Sequence, residues 1–402
     1  MFITIREFKD KEELKNYLLS IGITEAGVKI LSSKVSKFNI EISNIDTRAA
    51  NILKQDAISV GGDCAVPRKA SIFEKGTCTV LLMVTERSLF RLIEKLKLQP
   101  FKLKELAVKL KEAVENYQKD EFIISYNGKE LKLRKPAIMG ILNVTPDSFS
   151  DGGKFSTVDR ALKHCEEMLE SGADIIDVGG ESTRPGSDPV PIEEELRRTI
   201  PVIEEIRKKL GNEFFISIDT YKSEVAKKAL EAGADIVNDI SGFHFDKNMA
   251  VLVAEKGCPA IVMHIKGTPK DMQKNPYYEN VIREILLYFE KTLKEAEKKG
   301  VKREQLIIDP GIGFGKRLED NLCILRRLSE FKTLGLPILI GTSRKSFIGT
   351  ITGESDPKKR LEGTLASVYA SVIRGAKIVR VHDVKETKKF LDTLWALEEV
   401  YC

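Results

Sequence analysis

From residue 136 onward, short runs of β-branched and other apolar residues alternate with longer stretches whose apolar positions recur at intervals of three and four. The short runs predict strands at 137–142, 174–178, 214–218, 235–238, 259–263, 305–308, 337–341 and 377–381. The longer stretches predict helices, among them 157–171, 191–209, 222–232, 276–299 and 356–374. Strict alternation of strand and helix implies parallel strands, because a parallel crossover needs a connection long enough to hold a helix. Eight such units close a (β/α)8 TIM barrel, an α/β fold that takes roughly 250 residues. The polar residues favour that closure. Asn143, Gly179 to Arg184, Asp219, Asn238, Asp239, Asp309, Ser343 to Lys345 and His382 all follow strand ends. A barrel gathers such positions on one face, whereas an open sheet strings them along an edge.

The first 130 residues read differently. A helix at 10–20, a strand at 37–43, a helix at 46–59, a strand at 79–84 and helices at 86–97 and 102–118 predict a smaller N-terminal α+β domain. The expected division is therefore 1–130 as an accessory domain and 136–402 as the catalytic barrel. Tyr126 to Lys135 reads as a short hairpin or connector turning at Asn127-Gly128. The stretch Gly61 to Arg68 reads as a tight turn between helix and strand, or as a loop approaching another backbone or a ligand. No function is legible in this region beyond assembly or docking of a neighbouring enzyme.

Composition narrows the partners. With 42% hydrophobic and 31% charged residues in 402, the chain can bury a sizeable core. A net charge of +5, with acidic and basic residues mixed throughout, suits a solvated surface and argues against nucleic acid, while leaving room for a local anion site. The first thirty residues mix charged with apolar positions, unlike a signal peptide, and no stretch approaches the roughly 20 apolar residues of a membrane span. The cytoplasm is the expected location. Six scattered cysteines lack zinc spacing and read as small core residues.

The candidate chemistry lies in the loops after the strands. Met139 to Phe155 and Gly179 to Gly186 are long for such loops and suit mobile lids. In the second, Ser182, Thr183 and Arg184 supply donors for phosphate oxygens. Asp219 ends the third strand, where it faces the barrel mouth or caps the next helix. Asn238 ends the fourth, and Asp309, followed by Pro310 and three glycines, ends the sixth. Together they form a floor suited to a flat heterocycle with two adjacent donors, an edge that a pterin has. The glycines at 311, 313 and 315 are not a dinucleotide fingerprint, because they follow the sixth strand and run on into Phe314 to Lys316. After the last two strands, where barrels commonly hold phosphate, stand Arg344, Lys345, Arg380 and His382. A salt-bridged rim is the plainer reading of those four.

At this point MGILNVTPDSFSDGGKF, GGESTRPG, SIDTYK, VNDISG, IIDPGIGFGK, GTSRKSFIG and RVHDV, in this order over about 136–400, resemble the motif set of the dihydropteroate synthase family. The resemblance implies that Asp219, Asn238 and Asp309 bind the polar edge of a pterin diphosphate, with Lys345 reaching a ring heteroatom. It implies that Met263 and Phe314 line the slot and that Arg344 stacks on the ring. Asn143 would ligate Mg2+; Thr183, Arg184, Arg380 and His382 would hold the diphosphate; and Asp219, with Asp151, would oppose positive charge. Ser346 would receive the carboxylate of 4-aminobenzoate, with Phe149 and Pro185 closing over its ring. A homodimer is the family expectation. The enzyme alternatives are a pterin-binding methyltransferase, which has no need of the last two phosphate loops, and a synthase using a different amine. A ligand-binding protein on a degenerate barrel is the third.

Overall fold

The computed structural model describes Ile3, Arg6, Phe8 and residues 11–33, 36–145, 157–184 and 186–399. The chain forms two units, one ending at Glu115 and the other running from Asn116 to Val400.

The N-terminal unit holds helices α1 (Lys11–Ser20) and α2 (Glu25–Ser32), strand β1 (Lys37–Asp46), helix α3 (Thr47–Ser59), strand β2 (Asp63–Ala65), helix α4 (Arg68–Ser71), strand β3 (Thr77–Thr85), helix α5 (Glu86–Leu96) and most of helix α6 (Leu103–Gln118). β3 alternates with period two, burying Cys78, Val80, Leu82 and Val84 on one face. α5 answers with Leu89, Leu92, Ile93 and Leu96 at helical spacing, and its N-cap Thr85 accepts from the Ser88 amide at 3.2 Å. The sheet is antiparallel in the order β1–β3–β2. β2 corrects the reading of Gly61 to Arg68 as a turn alone: Gly62 lies so close to Met83 and Val84 that the segment after the turn pairs with β3.

The second unit begins with the hairpin β4 (Ile123–Tyr126) and β5 (Lys129–Lys132), turning at Asn127 and Gly128. It continues with β6 (Ala137–Asn143), α7 (Thr157–Glu170), β7 (Ile175–Gly179), α8 (Ile192–Leu210), β8 (Phe215–Asp219), α9 (Ser223–Glu231), β9 (Ile236–Asp239) and α10 (Met249–Lys256). Then follow β10 (Ala260–Met263), α11 (Val281–Lys298), β11 (Leu306–Asp309), α12 (Leu318–Arg326), β12 (Ile338–Ile340), α13 (Ser346–Thr352), α14 (Leu361–Val372), β13 (Ala376–Val381) and α15 (Val384–Glu399). β6 to β13 close into a parallel eight-stranded barrel. All eight strands coincide with the expected ones to within about a residue. α11 starts at Val281, later than expected, because Asn280 caps it by accepting from the Arg283 amide.

Two clusters of side chains divide the strands by parity. Outward residues such as Ile176, Ile216, Val237 and Val262 pack under the helices. Inward residues Met139, Ile175, Phe215, Ile236, Ile261, Ile307, Leu339 and Ile378 fill the barrel base, joined by Ile124 and Leu133 from the hairpin and the segment after it. The hairpin therefore belongs to the barrel, and the division falls near residue 115 where the sequence placed it at 130. Cys64, Cys78, Cys165 and Cys258 are buried thiols, as expected, and Cys323 is partly buried.

Candidate active site

Strand parity carries each inward row from an apolar base to a polar mouth. On β7 the row is Ile175, Asp177, Gly179; on β8 Phe215, Ser217, Asp219; on β9 Ile236, Asn238; on β11 Ile307, Asp309; and on β13 Ile378, Arg380, with His382 just beyond. The parallel register sets Asn143 beside Gly179, Gly179 beside Asp219, Asp219 beside Asn238, and Met263 beside Asp309.

Asp219 does not cap a helix: α9 starts at Ser223, whose amide donates to Asp246 instead. Its Oδ2 accepts from Arg380 Nη2 at 2.7 Å, and its buried Oδ1 has no partner among the described residues. Burial pushes its carboxyl above the ordinary range, and Arg380 pulls it back. Arg380 also donates from Nε to Asp177 Oδ2 at 2.6 Å, and Asn238 Nδ2 reaches the same oxygen at 3.2 Å. Asp309 Oδ1 accepts from the Gly311 amide at 2.7 Å, and burial raises its pKa to about 6. Three strand ends thus present acceptors to one space, beside an apolar group of Ile240, Met263, Ile265 and Met272 with Tyr221 and Phe314 against it.

Lys345 Nζ lies 4.2 Å from the centre of the Phe314 ring. Burial, with Arg380 nearby, lowers its pKa to about 8. The loop carrying Phe314 is pinned from below: Lys316 Nζ donates to the Phe314 carbonyl at 3.0 Å and sits 2.9 Å from His264 Nδ1. Its glycines are required by close approach, since a Cβ on Gly311 or Gly315 would collide with the His264 or Lys266 carbonyl.

Arg344, Lys345, Arg380 and His382 stand on the loops after β12 and at the end of β13, and Arg344 and Arg380 are both in salt bridges. Ser343 Oγ lies 2.9 Å from His382 Nδ1 and accepts the His382 amide at 3.2 Å. Burial, reinforced by Arg344, Arg380, Lys345 and Arg184, drives the His382 pKa down to about 3, so the imidazole is neutral. Arg344, at φ 60°, is tied edge-on to Asp383 by two nitrogens, with Nε at 3.1 Å. Half of the plain salt-bridged reading therefore holds for Arg344, although an edge contact leaves the guanidinium faces unused. Thr183 is half-buried and Arg184 exposed on the loop after β7. Ser346 opens α13 and is exposed. Phe149, Asp151 and Pro185 lie outside the described residues.

Sequence reasoning missed Asp177 and a buried ion cluster. Lys222 Nζ donates to Glu181 Oε2 at 2.5 Å, to the Val190 carbonyl at 2.7 Å and to Glu195, while Tyr221 donates to Glu181 Oε1 at 2.9 Å. The cluster anchors both ends of the loop that bears Thr183. A signal for Asp177 was present: it lies two residues before Gly179 in an apolar run, so it shares the inward parity and needs a buried partner.

A divalent ion has a modest foothold here. Among the described residues no group of three His, Cys, Asp or Glu could hold one. The Asn143 amide oxygen ends β6 beside Gly179, while the neighbouring Asp219 Oδ2 is taken by Arg380, which leaves one side-chain oxygen for an ion. A single amide oxygen is compatible with Mg2+, which keeps several waters and takes other ligands from substrate phosphates.

An acceptor floor, an apolar slot and a cationic rim at the C-terminal mouth of a parallel barrel define a pterin-binding barrel enzyme. A family model described as pterin binding enzyme matches residues 139–382. A dihydropteroate synthase of Synechocystis sp. is 48% identical over 265 residues, covering 65% of this chain and 91% of the relative. The solved structure of the Xanthomonas albilineans dihydropteroate synthase with 4-aminobenzoic acid superposes with a TM-score of 0.66 at 41% identity, covering 70% of this chain and 99% of that one. The chain belongs to the pterin-binding enzyme family and, within it, to the dihydropteroate synthases. A probable bifunctional folylpolyglutamate synthase/dihydropteroate synthase of Haloferax volcanii is 40% identical over 354 residues, 86% of this chain and 41% of the relative. That match is longer than the barrel unit, so it extends into the N-terminal unit.

Proposed function

We propose that the chain condenses 6-hydroxymethyl-7,8-dihydropterin diphosphate with 4-aminobenzoate, giving 7,8-dihydropteroate and diphosphate. The observation that carries the reading is the floor of acceptors on adjacent strand ends, facing the cationic loops after β12 and β13. A methyltransferase would need the floor without that rim.

In this reading Asp309 accepts two parallel hydrogen bonds from the amidine-like edge of the pterin, and Asp219 Oδ1 and Asn238 accept from its remaining donors. Met263 and Phe314 sandwich the ring, Arg344 offers it a guanidinium face, and Lys345 donates to a ring heteroatom. Thr183, Arg184, Arg380 and neutral His382 hold the diphosphate, with Nε2–H of His382 as donor once Ser343 donates to Nδ1. Ser346 and the amides at the start of α13 receive the carboxylate of 4-aminobenzoate, and Phe149 and Pro185 cover its ring.

The aryl amine nitrogen attacks the pterin methylene carbon while the bond from that carbon to the diphosphate oxygen breaks. The nitrogen then loses a proton. Because an aniline is a weak nucleophile, the rate comes from stabilising the departing anion and the developing positive charge on the pterin. Arg380 and His382 serve the first, and the carboxylate of Asp219, with Asp151, the second. Asn143 would hold Mg2+, which would supply further neutralisation of the diphosphate.

A cytoplasmic homodimer is part of the proposal, carried by the family resemblance alone. No helix among the described residues is long and apolar enough to cross a membrane. The N-terminal unit, 1–130 in the sequence reading, is assigned to assembly or to docking a neighbouring enzyme. The deciding experiment mixes protein, Mg2+ and the pterin diphosphate with and without 4-aminobenzoate. Diphosphate release that requires the amine and yields dihydropteroate supports the reading, and pterin binding without turnover overturns the choice of amine.

A further inference from the structure

Asp177 is wholly buried, yet it is not at the ligand face; it stands one inward position below Gly179 on β7. Its Oδ2 receives hydrogen bonds from two other strands, Asn238 Nδ2 of β9 at 3.2 Å and Arg380 Nε of β13 at 2.6 Å. A carboxylate can only accept. Asn238 must therefore turn its NH2 group down to Asp177, which leaves Oδ1 as the group it offers upward.

We propose that Asp177 is a positioning residue that fixes the Asn238 amide so that the whole floor reads its ligand as acceptors, and so selects a donor-rich heterocycle edge. The proposal deepens the pterin reading and rests on it. Asp219 Oδ1 and Asp309 are acceptors by their chemistry, but an amide can present either end. Without Asp177 the middle position of the floor is ambiguous. Arg380 is held by the same oxygen, so the tether also sets the spacing between the floor and the group that meets the leaving diphosphate.

Removing the tether, with and without an acceptor at 238 that has no wrong way round, tests the proposal. In Asp177→Ala, the Asn238 amide loses the oxygen that holds its NH2 down and is free to set a donor against the donors of the ligand. In the double variant Asp177→Ala/Asn238→Asp, the carboxylate at 238 presents an acceptor whichever way it turns, and an acceptor again faces the ligand. The full-length protein is titrated with 6-hydroxymethylpterin, and each variant is checked by thermal melting.

The single variant is expected to bind about tenfold or more weakly, the cost of an unmatched buried polar pair, and the double variant to return to within a few-fold of wild type. A residue that merely filled space would give no such recovery, because the two variants differ at 238 only by NH2 and O. The proposal is overturned if Asp177→Ala binds like wild type, or if the double variant binds no better than the single variant. Should Asp177→Ala not fold, the double variant is compared with Asn238→Ala: tighter binding by the double variant supports the tether, and equal binding removes it. Wild-type protein that fails to bind 6-hydroxymethylpterin would instead remove the pterin reading, and the proposal with it.

Discussion

Arg380 donates from Nη2 to Asp219 Oδ2 at 2.7 Å, joining the last barrel strand to the third across the interior. With Nε on Asp177, the guanidinium answers two buried carboxylates through a rigid fork. Lysine has one nitrogen on a flexible stem and can serve only one of them well. Arg380→Lys is therefore expected to lose a charge-assisted hydrogen bond of about 1.5–3 kcal/mol, lowering kcat/KM by roughly 10- to 150-fold. Arg380→Ala leaves both carboxylates unpaired and should cost stability by about 3–5 kcal/mol. Steady-state kinetics and urea melts of the two variants check both.

The pH profile follows from two groups at the mouth. Burial raises Asp309 to about 6, so below that pH it gains a proton and no longer accepts two hydrogen bonds. Burial and Arg380 lower Lys345 to about 8, so above that pH it loses its charge. Plotted against pH, kcat/KM for the pterin diphosphate is expected to be a bell with an alkaline limb near 8 and an acid limb at 6 or above, since burial also raises Asp219, because kcat/KM reports the free enzyme. Lys345→Arg should carry the alkaline limb upward and leave the acid limb in place. An unmoved alkaline limb would assign it to another group.

Asp309→Ala isolates the floor. The carboxylate is buried, and its loss leaves the donor edge of the ring without its two-point partner. Pterin affinity should fall by about 2–5 kcal/mol, on the scale for removing one member of a buried charged hydrogen-bonded pair. Calorimetric titration with a pterin analogue measures it, and wild-type affinity would show the floor assignment to be wrong.

Ser343 offers a gentler test of the cationic rim. It touches His382 at both Nδ1 and the amide, and through Nδ1 sets which nitrogen carries the proton. Ser343→Ala removes that control at a cost of about 1 kcal/mol, so kcat should drop about fivefold. Affinity for 6-hydroxymethylpterin, which has no diphosphate, should stay at the wild-type value. A matching loss for that ligand would mean that Ser343 shapes the pterin slot.

These residues differ in how visible they were beforehand. The strands were legible because each is a short β-branched run, and the floor because Asp219, Asn238 and Asp309 end such runs. Asp177 was hidden by its setting: one acid inside an apolar run reads as strand unless the inward parity is followed across to Arg380. The Lys222 cluster was hidden because Glu181, Glu195 and Lys222 lie far apart in the chain. β2 was too short to show a period, and only Gly62 against the β3 backbone explains it.

The hairpin was visible as a connector across the expected boundary, and two truncations decide which unit it serves. Ile124 and Leu133 are buried with Met139, Phe215 and Ile378 at the barrel base, so β4 and β5 close the end opposite the active site. A chain beginning at residue 116 keeps that plug and every residue assigned to the reaction. A chain beginning at residue 134 exposes the base and loses both side chains, at roughly 2–5 kcal/mol for each buried Ile or Leu removed. The first is expected to fold and to turn over substrate at close to the full-length rate; the second is expected to melt far lower or to aggregate. Equal melting temperatures for the two would return the hairpin to the N-terminal unit, while a folded but inactive first truncation would give that unit a part in catalysis.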